Sequence, residues 1–167
     1  MNEIRVFRCI VAALAIVGAA SRLHAQEFPI RRWLVRGPIP ADTGAAGVLR
    51  DYLGGEAAVR PDSGQAVAGG PFFPADADSL GHIDFNRVLP DTRDWSAAYA
   101  HAYVWAPREL TALLVMDSDD DLVGWLNGQR VWLHIVPRGV GGGSDTTVVR
   151  LASGWNSLLL KVINRGG

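Results

Sequence analysis

The chain has 167 residues, with 16 Lys and Arg against 17 Asp and Glu, a formal net charge of −1 and 49% hydrophobic residues. A balance this close to neutral lacks the positive excess that nucleic acid or an anionic membrane surface selects, so neither is expected as a partner. The length suits one ordinary domain able to bury a real core.

At the N-terminus Arg5 and Arg8 stand at the start of an apolar run ending at Ala20, followed by Ser21, Arg22 and the small residue Ala25. That is the order of a secretory signal, so residues 1–25 read as a signal peptide removed after Ala25, and the expected destination is the periplasm or the exterior. The alternative is an uncleaved anchor, because Leu23 stands where a small residue is preferred. The apolar run falls well short of the roughly 20 residues a spanning helix needs. Cleavage removes Cys9, the one cysteine, and leaves 13 basic and 16 acidic side chains, a charge of −3. The mature chain then has neither a disulfide nor a thiol nucleophile, and no membrane contact is expected of it.

Beyond the signal, helical periodicity nearly vanishes. Short β-rich runs at 32–35, 83–89, 98–105, 110–116, 122–126, 130–136, 146–151 and 157–163 alternate with Gly, Pro and Asp clusters. This pattern predicts an all-β fold, an antiparallel β-sandwich over residues 26–167. Only 44–53 has a helical look. Residues 54–77, rich in Gly, Pro and Ala, read as a long surface excursion, with a linker as the alternative. In 98–105, Tyr99, His101, Tyr103 and Trp105 fall on one face and Ala98, Ala100, Ala102 and Val104 on the other. In 157–163, Leu158, Leu160 and Val162 form a core face opposite Ser157 and Lys161. The run 110–116 is apolar on both faces, as a strand covered on both sides would be. Asn127-Gly128 between two runs predicts a type I′ hairpin, since both residues tolerate positive φ.

The acidic turn 117–121, the sequence Trp125-Leu126-Asn127-Gly128 with Val131, and the late Leu151, Gly154, Asn156 and 158–164 together resemble the galactose-binding-like jelly roll. The likeness is to the sugar-binding domain of family 2 glycoside hydrolases in particular. Trp33-Leu34-Val35-Arg36-Gly37-Pro38 resembles the opening strand of a related subgroup. The resemblance implies a jelly-roll sandwich, a carbohydrate ligand in some members and a purely structural role in others, and further domains of a longer chain as partners. Relatives usually continue past 161–164 into another strand, so the sandwich is expected to lack its last strand and to leave a sheet edge open.

Flat aromatic faces suit the apolar face of a pyranose, so Tyr99, His101, Tyr103 and Trp105 are either a stacking platform or core. The candidate ligand-binding residues are Trp105, Trp125, Asn127, Trp132 and Arg138, while Trp33 and Trp155 are expected to be buried. Asp117, Asp119 and Asp121 are weak candidates for calcium, a hard cation that takes carboxylate oxygens. Leu122 and Gly128 stand where an EF-hand loop needs Gly and Glu, and a solvated turn whose Asp side chains cap backbone amides is the preferred reading. No G-x-S-x-G or H-E-x-x-H is present, and no cofactor is expected. The expected function is a non-catalytic carbohydrate-binding or accessory module. A structural or interaction domain without a sugar ligand is the alternative, and a small glycoside hydrolase is the more distant one.

Overall fold

A computed structural model of the chain describes residues 7–13, 26–62, 66–68, 70–91, 93–139, 141 and 144–166. The cleavage point expected after Ala25 lies outside the described residues. The strands are β1 (Phe7–Ala13), β2 (Gln26–Glu27), β3 (Arg32–Pro40), β4 (Ala66–Val67), β5 (Gly70–Pro71), β6 (Phe73–Asp76), β7 (His82–Ile83), β8 (Ser96–Ala106), β9 (Leu110–Met116), β10 (Asp121–Leu126), β11 (Gln129–His134), β12 (Asp145–Leu151) and β13 (Gly154–Asn164). Among the described residues, two short α-helices, α1 (Gly44–Leu49) and α2 (Phe85–Val88), and a 3-10 turn at Glu56–Ala58 interrupt them.

The fold is an all-β antiparallel sandwich. One sheet runs β11-β10-β13-β8-β3-β6, and the other runs β12-β9-β1-β2 with β7 also on β1. The alternation of β8 and β13 explains how the two sheets meet. Leu158, Leu160 and Val162 lie opposite Ala102, Ala100 and Ala98, so each large side chain of the inner face is set beside a small one. Ala112, Leu114, Met116, Val149 and Leu151 of the second sheet complete this core, and Trp33 closes one end of it. The turn between β10 and β11 has Asn127 at φ 52° and Gly128 at φ 86°, the two positive values of a type I′ hairpin.

The outer face of the first sheet is half covered. Val48 of α1, Leu53, Val59 and Phe72 pack on Tyr99, Val123, Trp125, Leu159 and Ile163 in a second cluster. A buried polar knot pins this roof to the sheet. Lys161 Nζ donates to Glu56 Oε1 (2.7 Å) and to the Arg50 carbonyl (2.8 Å), and the Tyr99 hydroxyl donates to the same Glu56 oxygen. The ammonium also lies 5.3 Å from the Trp125 ring centroid. Burial pulls the Lys161 ammonium below its ordinary pKa, with Glu56 opposing, and pushes the Tyr99 hydroxyl far up.

Several expectations are corrected. The run 83–89 is a strand only at its start. The Asp84 side chain accepts from Asn86 N at 3.0 Å, an N-cap that turns the chain into α2. The excursion does not last to residue 77, because Phe73–Asp76 pairs with β3 as an edge strand. β9 is covered on one face only: Ala112, Leu114 and Met116 are buried, while the side chains between them are half-buried. β13 lies between β10 and β8, so the last strand of the chain is central in its sheet. In the second sheet Phe7–Ala13 pairs with β9, with Cys9 opposite Met116 and Ala12 opposite Leu113.

Candidate functional site

The uncovered end of the outer face gathers three exposed aromatics. β8 and β13 pair with Trp105 directly opposite Trp155 and Tyr103 opposite Ser157. Tyr103 is 40% exposed, Trp105 57% and Trp155 67%. The two indoles meet edge to face, with centroids 5.3 Å apart and planes at 67°. Beside them lies a cavity of about 450 Å³, walled by Tyr103, Trp155, His101, Leu34, Arg32 and Asp76 among others. Arg32 and Asp76 stand at facing positions of β3 and β6, so a cation and a carboxylate form part of its wall.

His101 is wholly buried at the floor. Its Nε2 lies 2.8 Å from Ser157 Oγ, its ring is edge-on to Tyr103 at 4.6 Å, and its Nδ1 meets no hydrogen-bond partner among the described residues. Burial, with the Arg60 guanidinium nearby, pulls its pKa down to about 4, so the imidazole is neutral at physiological pH. The Tyr103 hydroxyl is pushed up by burial and by Asp62, with Arg60 opposing.

The stripe on β8 is therefore both core and platform. Tyr99 and His101 are covered, and Tyr103 and Trp105 are open. Of the five ligand-binding candidates, Trp105 is the one that presents an exposed ring at this open end. Trp125 is buried beneath the roof and offers no stacking face. Trp132 packs partly buried against the main core, edge-on to His134.

Asn127 is a buckle. Its Nδ2 donates to Asn156 Oδ1 (2.8 Å) and its Oδ1 accepts from Ser157 N (2.9 Å), while Asn156 Nδ2 donates to the Ala152 and Gly154 carbonyls. Arg138 holds Asp145 through both terminal nitrogens, at 3.2 and 2.6 Å, and donates to Ser118 Oγ. Both side chains spend their polar groups on holding loops in place.

Trp155 was expected in the core and is the most exposed member of the group. The parity of β13 carried the signal, because Trp155 is in step with Ser157 and Lys161, not with Leu158. Arg32 and Asp76 were not singled out, since a cross-strand pair 44 positions apart has no local sequence mark.

The acidic turn is not solvated, because Asp119, Asp120 and Asp121 are buried. Capping is nonetheless its chemistry. Asp117 accepts from Ser118 N and Gly141 N, and Asp120 from Arg138 N and Arg165 N. Asp121 accepts from Val136 N and binds the Arg165 guanidinium at 2.8 and 2.7 Å. Among the described residues no three His, Cys, Asp or Glu converge as cation ligands, and no helix is long and apolar enough to cross a membrane.

No family model, curated protein or solved structure matches the chain.

Proposed function

We propose that the chain is a non-catalytic carbohydrate-binding module of an exported protein, galactose-binding-like in kind, whose ligand rests on Tyr103, Trp105 and Trp155. The observation that carries this reading is the exposure of three aromatic side chains at one end of a sheet, beside a cavity walled in part by a cation and a carboxylate from facing strand positions. A pyranose presents C–H groups on one face and hydroxyls around its edge, so indole faces and flanking charged groups together meet both kinds of surface. A glycosidase needs two carboxyl groups facing one bond, and among the described residues walling this cavity Asp76 is the one acid.

The test is a glycan array followed by tryptophan fluorescence titration of any hit. Replacing Trp155 by Ala is expected to weaken binding by about 2 kcal/mol, roughly 30-fold in Kd. Absence of binding to every glycan, or full affinity in the Trp155 variant, overturns the reading. The first of these outcomes leaves a structural or interaction domain.

A further inference from the structure

We infer that this face takes a neutral glycan at a chain end or a bend, in solution, and not the flat face of an ordered polysaccharide. The inference rests on the carbohydrate reading above and deepens it, and two features of the face lead to it.

The first is shape. An extended, ordered polymer presents successive rings in one plane, and aromatic side chains that hold it must lie in one plane as well. Trp105 and Trp155 cannot, since their planes meet at 67° with the centroids only 5.3 Å apart. A flat surface laid on one indole meets the edge of the other and loses its stacking contact. A ligand that turns a corner, or a terminal unit seated against one indole and bordered by the second, uses both. A half-open hollow adjoins this corner, its wall including Trp155, Tyr103, Arg32 and Asp76. Its volume of about 450 Å³ falls within the roughly 300–1,000 Å³ usual for small-ligand sites. A concave wall of this size suits a single ring better than it suits a flat lattice.

The second is charge. Among the described residues, the charged groups found around the opening are of both signs: Arg32 and Asp76 hold facing strand positions, and Arg60 and Asp62 act on Tyr103 with opposite sign. A uronic acid or sulfated sugar would need a surplus of cations to offset its desolvation. These groups supply donors and acceptors without that surplus, which suits the hydroxyls of an uncharged sugar.

Three probes decide the matter: depletion from solution by microcrystalline cellulose, titration with neutral mono- and disaccharides, and titration with uronic-acid oligosaccharides. The expected result is saturable binding of at least one neutral soluble sugar and no depletion by cellulose. Trp105→Ala and Trp155→Ala are each expected to lower affinity about tenfold or more, with unchanged thermal melting as the check that the fold is intact. Depletion by cellulose without soluble binding, or binding confined to uronic-acid sugars, overturns this inference and leaves the carbohydrate reading standing. No binding to any of the three overturns both.

Discussion

Acid should destabilise this protein through His101. The imidazole is wholly buried, and its pKa is near 4 in the folded chain against an ordinary 6.5. The unfolded chain therefore takes up the proton first as pH falls. The stability His101 permits is fully present above about pH 6.5 and is lost as pH drops toward 4. At about 1.4 kcal/mol per pH unit of separation, moving from pH 7 to pH 4.5 costs roughly 2–3 kcal/mol at this one group. Urea unfolding at both pH values, on the natural chain and on His101→Gln, isolates the contribution from that of the carboxylates. The natural chain should lose more stability than the variant by about that amount. Equal losses in the two proteins would refute the argument, as would an NMR titration placing the His101 pKa at its ordinary value.

The Glu56–Lys161 pair, buried between the roof and the sheet, should be costly to break one side at a time. Glu56→Ala is expected to lose about 3–5 kcal/mol in urea unfolding, and Glu56→Leu combined with Lys161→Met to recover most of it. A double variant that loses the sum of the single losses would contradict the coupling. Gly128→Ala should lower the melting temperature well beyond Gly44→Ala. Both glycines have positive φ, but a Cβ at Gly128 would lie 2.5 Å from the Ala57 carbonyl oxygen, whereas the space at Gly44 is open. Equal effects would remove the steric part of that account. A chain cleaved after Ala25 loses the strand beside β9, whose Leu110–Met116 carries no charge and no proline to guard its edge. Such a chain should self-associate at high concentration, and light scattering from a stable monomer would sink this expectation.

What could be read from the residues alone was what repeats at period two. The alternation of β8 and β13 gave the inner core, and Asn127-Gly128 gave its hairpin, because each is set by neighbours along the chain. The roof was legible only in outline. The helical look of 44–53 matches α1 and the excursion that follows lies over the sheet, but Glu56 meets Lys161 105 positions away, so nothing local marks the contact that pins it. α2 was read as strand because β-branched and aromatic residues suit both states until the Asp84 cap decides between them. The candidate site was half legible. Tyr103 and Trp105 followed from strand parity, but whether a face is roofed or open depends on where the excursion lies, and that is a property of the whole fold.

The ladder between β8 and β13 runs unbroken through eleven residue pairs, from Ser96–Asn164 at the roofed end to Ala106–Gly154 at the aromatic end. The backbone beneath the open side chains is thus the same pair of strands that carries the deepest part of the core. Amide protons there should exchange with solvent only when the entire domain unfolds. A ligand arriving at Trp105 and Trp155 therefore orders no loop and settles only side-chain torsions, which lowers the entropic cost of association. Backbone amide relaxation should look the same with and without a ligand, and the change should be confined to the indole rings.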